Sequence, residues 1–234
     1  VAQAMIDQSL AAGVGSPDQY KVVYSGMELD RFLHAKPDPV LRKKLGIPED
    51  AVVLATLARL FPLKGYEQFL PVAVKLAKEL PQIHCLIIGN GTMMEEIREF
   101  IRKEGVESRF SFAGLVAPGE VGNYLALASV LVHFSLREGL PRAAVQALAS
   151  GKPVIAYALD GTPEVVIPGK TGYLLKPGDR AGAEAAIREL VANPALAAEL
   201  GANGRKLVES RFGWKTMSDT LLKDYAECLA AKKN

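Results

Sequence analysis

Cysteine is scarce: the 234 residues contain two, Cys85 within an apolar run and Cys228 near the end. Two distant thiols build neither a disulfide framework nor a metal knuckle, and they suit a reducing compartment, so a cytoplasmic setting is expected. An excess of one charge is missing too. The 28 Lys+Arg against 26 Asp+Glu leave +2 at neutral pH, which removes the basic face that holds a nucleic-acid binder to phosphates. The longest apolar stretches, 51–57 and 127–134, fall well short of the ~20 residues that cross a bilayer. The opening run Val1-Ala2-Gln3-Ala4-Met5-Ile6 has no basic segment ahead of an apolar core and is not expected to act as a signal peptide. With 21 Gly, 14 Pro, 49% hydrophobic and 23% charged residues, the composition excludes disorder, collagen and coiled coil. No Asp-x-Asp pair and no His/Cys cluster occurs, and no metal site is expected.

What is present is alternation. A length of 234 residues allows one large α/β domain or two small ones at roughly 100–200 residues each. Short Val/Ile/Leu-rich runs, read as strands over Val52–Leu57, His84–Ile88, Phe110–Phe112, Leu131–Phe134, Val154–Tyr157 and Gly172–Leu175, alternate with helical patterns. The helices are expected over Gly65–Leu80, Thr92–Glu104, Gly119–Ala128, Pro141–Ser150, Arg180–Ala192, Pro194–Arg211 and Trp214–Ala231. Strands buried on both faces and joined by helices predict an α/β fold with a doubly wound parallel sheet. Ahead of it lie a helix-like stretch Val1–Ala12, a strand candidate Lys21–Tyr24 and an irregular segment through Asp38.

In such sheets ligands sit beyond the carboxyl ends of the strands, where helix N-termini favour anions. The loop after the first sheet strand reads Arg59-Leu60-Phe61-Pro62-Leu63-Lys64-Gly65. Its two cations suit a diphosphate, Arg as a planar fork and Lys as a point charge, or they are solvated surface groups. Gly89-Asn90-Gly91 lacks the third glycine of a dinucleotide fingerprint, since position 94 is Met. These glycines either turn the chain or let a ligand approach the backbone. Gly169-Lys170-Thr171 resembles the tail of a P-loop, but position 164 is Glu and a strand follows, so it is set aside. The run 135–154 is the most informative: Pro141 fits the first helical position, Gly151 the position after the C-cap, and Pro153 ends any continuation. Glu138 then stands above the strand end, and Gln146 lies one to two turns inside the helix. Together they could grip hydroxyls at two ends of an elongated polar ligand whose phosphates meet the helix start, at Gly139, Leu140, Pro141, Arg142 and Ala143. A dipole-favoured acid and a solvated amide are the plainer alternative.

The segment Glu138–Val154, with Arg59 and Lys64-Gly65 upstream, resembles the donor-binding C-terminal domain of retaining GT-B glycosyltransferases, the family called glycosyl transferases group 1 or family 4. That family carries two Glu residues separated by seven positions; here Glu138 is followed, after seven residues, by Gln146. Tyr24-Ser25-Gly26-Met27-Glu28 stands where the family has Asn-Gly-Val-Asp, Phe112-Ala113-Gly114 precedes the base-side loop, and Asp160-Gly161-Thr162-Pro163-Glu164 follows further on. The resemblance covers residues 20–231 and implies a Rossmann-like sheet, the C-terminal half of a GT-B fold. It further implies that Arg59, Lys64 and Glu138 carry catalysis, the cations neutralising a UDP- or GDP-linked donor's diphosphate and Glu138 bonding its sugar. Gly89, Gly91 and the backbone at Leu115 and Val116 would border the donor, and Gln146 would face the ribose. An amide there can accept from a ribose hydroxyl but carries no charge.

On the same resemblance a hexose is transferred with retained configuration, without metal or cofactor, to an acceptor held by an N-terminal domain. Residues 1–20 would be the remnant of that domain and its linker, and 21–234 the donor domain with its return helix; the lack of an initiator Met fits a truncated enzyme. Such a chain is expected to bind donor and transfer little, with any peripheral membrane contact left to the other domain. A stand-alone nucleotide-binding module without transferase activity, or a nucleotide-sugar epimerase, are the alternatives. His84 and His133 are read as core residues, and no histidine is assigned to catalysis.

Overall fold

The computed structural model describes residues 2–231. Val1 of the expected first helix and residues 232–234 of the expected donor domain lie outside them. The strands β1 (Val52–Leu57), β2 (Ile83–Ile88), β3 (Phe110–Gly114), β4 (Val130–His133), β5 (Val154–Tyr157) and β6 (Gly172–Leu175) pair in parallel, in the order β3-β2-β1-β4-β5-β6. The helices are α1 (Gln3–Ala11), α2 (Asp30–Leu33), α3 (Pro39–Lys44), α4 (Tyr66–Glu79), α5 (Met94–Lys103), α6 (Val121–Leu127), α7 (Arg142–Ala149), α8 (Arg180–Ala192), α9 (Pro194–Arg211) and α10 (Trp214–Ala231).

Period-two alternation explains the layers. Along β1, Val53 and Ala55 point to one face and Leu54 to the other, and β2 is buried at every position. Leu54, Cys85, Ile87 and Ile155 pack under α4, α5 and α8; Val53, Leu86, Leu131 and Ala156 pack under α2, α6 and α7. A fully buried aliphatic side chain contributes roughly 1.5–3 kcal/mol, so two sandwiched faces define the register strongly. The strand order reverses between β1 and β4, which leaves a crevice beyond their carboxyl ends.

The expected sheet is found, with ends shifted by one or two residues. The strand candidate Lys21–Tyr24 is not a strand: the sheet runs from β3 to β6 without it, and the isolated bridge that follows, Met27 to Gly213, lies beyond the segment and just before α10. The irregular stretch through Asp38 contains the short helix α2. Next comes α3, which sequence reading missed although Asp38 caps it by accepting from Val40 N–H and Pro39 opens it. Pro141 is the N-cap of α7, at φ −74 and ψ 86, rather than its first helical residue. Gly151, at φ 71 after the C-cap Ser150, sits as expected.

Candidate functional site at the switch point

The β1–α4 loop and the β4–α7 loop meet across the crevice. Leu63 takes a left-handed backbone, φ 69, which points its carbonyl at the other loop. There it accepts from Leu136 N–H at 2.9 Å and Ser135 Oγ at 3.3 Å. This zipper sets Lys64 beside Glu138: Nζ lies 2.7 Å from Oε1 and 3.3 Å from Ser135 Oγ. The two side chains are 23% and 17% exposed, open enough to meet a ligand and enclosed enough for the pair to resist screening.

His133, the last residue of β4, lies beneath them, its Nε2 3.6 Å from Glu138 Oε1. Burial, reinforced by Lys64 and opposed by Glu138, pushes its pKa well below the usual imidazole range. A neutral ring therefore backs the charged pair. His84 is buried on β2 against Ser111 Oγ at 2.7 Å. Both histidines are core residues, as expected, but His133 also touches the site.

A cleft of about 540 Å³ opens in front, lined by Met5, Gln8, Leu136, Arg137, Glu138, Gly139 and Asp160. Of the three expected catalytic side chains, Lys64 and Glu138 are brought together. Arg59 stands exposed on the same loop as Lys64, its guanidinium 5.3 Å from the centroid of the Phe61 ring; among the described residues no carboxylate lies within 4 Å of it. Leu140 and Pro141 are buried, Gly139 and Ala143 half-buried, and Arg142 exposed at the start of α7. Gln146 is half-buried on α7. Leu115 is 85% exposed beyond β3, and Val116 packs beside the second core face.

Gly89 and Gly91 lie close against the backbone of the Arg59 loop. A Cβ on Gly89 would sit 1.9 Å from Ala58 O, and one on Gly91 2.3 Å from Leu60 O. The absence of a side chain at both positions lets β2's loop press against the backbone of the Arg59 loop.

Sequence reasoning missed three participants. Ser135 sits within the quoted run and His133 in the strand candidate before it, read as a core residue, and neither was given a part beside Lys64 and Glu138. Asp160, φ 47, accepts from Glu138 N–H and Gln8 Nε2. A carboxylate in a loop beyond a strand's carboxyl end was the available signal for Asp160. Nothing local marked its partner in α1.

A six-stranded parallel sheet whose order reverses between β1 and β4, with a Lys64–Glu138 pair beyond the strand ends there, defines a doubly wound α/β domain. The family described as glycosyl transferases group 1 matches residues 38–207, and the chain belongs to that family. It is 30% identical over 222 residues to a D-inositol 3-phosphate glycosyltransferase of Streptomyces scabiei, covering 91% of this chain and 50% of that protein. It is also 30% identical over 216 residues to a GDP-mannose-dependent monoacylated alpha-(1-6)-phosphatidylinositol monomannoside mannosyltransferase of Corynebacterium glutamicum, covering 88% and 56%. The chain thus spans about half the length of these relatives. Among solved structures, Anabaena HepE in complex with UDP superimposes with a TM-score of 0.87 at 24% identity, over 97% of this chain and 62% of that one. Sucrose-phosphate synthase from Thermosynechococcus elongatus does so at 0.84 and 28% identity, over 99% and 58%. These are GT-B glycosyltransferase folds, and the six-stranded sheet is their Rossmann-like unit.

Proposed function

We propose that this chain is the donor-binding half of a retaining glycosyltransferase, which transfers a hexose from a UDP- or GDP-linked sugar to an acceptor held by a second domain. The observation that carries the reading is the contact of Lys64 with Glu138 across the switch point, 2.7 Å. It joins a phosphate-type cation to a hydroxyl-type acceptor in one cleft.

In this reading the bond from the anomeric carbon to the diphosphate oxygen breaks with both electrons leaving on the phosphate, while the acceptor's hydroxyl oxygen bonds to that carbon from the same face and its proton passes to the departing phosphate oxygen. Arg59 and Lys64 meet that growing charge, the electrostatic task that otherwise falls to a metal ion, so no resident metal or cofactor is assigned. Glu138 accepts from sugar hydroxyls once Lys64 turns to the phosphates, and Gln146 faces the ribose. Gly139 to Ala143 surround the phosphates at the start of α7, and Leu115 and Val116 border the base. By itself the chain binds donor and transfers little. Residues 1–20 belong to the linker and the acceptor half, and the whole acts in the cytoplasm. The relatives named for D-inositol 3-phosphate and for GDP-mannose support the transferase class, and the UDP complex of HepE supports nucleotide binding.

Calorimetric titration with UDP, GDP and ADP, and with uridine as control, tests the reading. UDP or GDP should bind more tightly than uridine. Failure of all three diphosphates to bind at millimolar concentration would refute it.

A further inference from the structure

Asp160 stands where a glycine would ordinarily be placed. Its φ of 47 is a left-handed backbone that side chains rarely adopt. Both carboxylate oxygens are engaged: Oδ2 accepts from Glu138 N–H at 2.9 Å and Oδ1 from Gln8 Nε2 at 2.9 Å. One side chain therefore bridges the β5 loop, the β4–α7 loop and α1.

The helix at the far end of that bridge is held in an unusual way. None of the α1 residues Gln3–Ala11 is fully buried, Ile6 and Leu10 are half-buried, and only the N-cap Ala2 is sunk in the fold. The helix's first free amides, Gln3 N–H and Ala4 N–H, donate to the Glu164 carboxylate at 2.9 and 3.0 Å, and Tyr24 OH donates to the same group at 2.7 Å. Arg211 in turn donates to the Tyr24 oxygen at 2.7 Å. An element held by little apolar burial and a few exposed or half-buried hydrogen bonds opens at lower free energy than the core. Yet Met5 and Gln8 of this helix form a wall of the cleft that contains Glu138.

We propose that Asp160 is a positioning residue for Glu138, and that Gln8 makes its setting depend on α1 being docked, so that α1 tunes recognition of the donor's sugar and not of its diphosphate. This rests on the assignment of Glu138 to the donor sugar. The side chain of Glu138 is held by Lys64, which the ligand's phosphates draw away. Its backbone is held by Asp160, which they do not touch. Loss of the bridge releases the loop at the residue that meets the hydroxyls and leaves Arg59 and Lys64 in place.

The test compares the affinity of the chain for UDP with UDP-glucose, and for GDP with GDP-mannose, by calorimetry. The ratio within each pair reads the contribution of the sugar. Asp160→Ala and Gln8→Ala should each lower that ratio by about two- to tenfold, the range of one hydrogen bond, with diphosphate affinity held within twofold. Asp160→Asn, whose amide oxygen still accepts from Glu138 N–H and whose amide N–H can donate to Gln8 Oε1 once the Gln8 amide turns over, should keep the parental ratio. Four results overturn the proposal: an unchanged ratio in Asp160→Ala, an equal loss of diphosphate and sugar-nucleotide binding, a parent that gains nothing from the sugar, or loss of the ratio in Asp160→Asn as well. An unchanged ratio in Gln8→Ala overturns the role of α1; that side chain is on an exposed helix, so the variant folds even where Asp160→Ala does not. A parent that binds no nucleotide at all refutes the functional reading and takes this inference with it. Diphosphate binding with an unmoved ratio refutes this inference alone.

Discussion

At the residue scale, the site separates charge from amide. Arg59→Ala and Lys64→Ala should each remove a charge-assisted contact of about 1.5–3 kcal/mol, lowering nucleoside diphosphate affinity roughly tenfold to a hundredfold while sparing the nucleoside. Gln146→Ala should weaken nucleoside and nucleotide alike by about 0.5–1.5 kcal/mol, and Gln146→Glu should preserve or strengthen binding. Diphosphate affinity within twofold of the parent in both cation variants, measured by titration calorimetry, would make those cations surface decoration. The buried histidines govern acid stability. His84 is neutral in the fold, its pKa lowered to about 4 chiefly by burial and then by Arg109 and Arg42, whereas the unfolded chain titrates near ~6.5. Between those values the unfolded state binds the extra proton, so stability is full above pH ~6.5 and falls as pH drops toward about 4. His133 adds in the same direction. Unfolding free energies from urea titrations at pH 7 and pH 4.5 should differ less for His84→Gln than for the parent, by on the order of 2 kcal/mol; equal shifts would exclude His84 as a contributor. Which residues bear charge in the site was legible from the quoted motifs. That a neutral histidine lies under them was not, because His133 reads as one more position in an apolar strand.

At the scale of elements, the helices and strands followed from local rules. Asp179 caps α8 by accepting from Gly182 N–H, and Asn193 caps α9 by accepting from Leu196 N–H, and both helices begin where the sequence places them. Lys21–Tyr24 shows the limit: its Val-Val-Tyr run has strand propensity, but a strand needs a neighbouring edge, which only the assembled sheet grants or withholds. Gly89 ends β2 at φ 141, and a Cβ there would collide with the Ala58 carbonyl at 1.9 Å. Gly89→Ala should therefore cost about 2–4 kcal/mol through strain and forced displacement of the Arg59 loop. Chemical denaturation gives the value, and a loss below about 1 kcal/mol would show that the two loops are loosely apposed. The same variant should weaken diphosphate binding, since the displaced backbone carries Arg59 and Lys64.

For the whole molecule, ligand and stability are linked. A diphosphate at a hundred times its dissociation constant should add about 2.7 kcal/mol, a rise in Tm of roughly 5–10 °C for a chain of this size. Calorimetric melting with UDP or GDP would show it, and an unmoved Tm at a concentration that saturates the titration would mean the nucleotide binds the unfolded chain equally well. Among the described residues no helix is long and apolar enough to cross a membrane, in keeping with the short apolar runs of the sequence. The sequence by itself determined the α/β class, six strands nearly to the residue, the family, and the two loops that carry Arg59, Lys64 and Glu138, because periodicity, capping and turn chemistry act over a few residues. Only the tertiary structure decided that Lys64 pairs with Glu138 across 74 positions, and that Asp160 reaches Gln8 across 152. The sheet order β3-β2-β1-β4-β5-β6 brings β1 beside β4, and the docking of α1 brings residue 8 to the β5 loop. Both are consequences of long-range closure, where burying two faces of one sheet selects among arrangements that local propensity leaves equal.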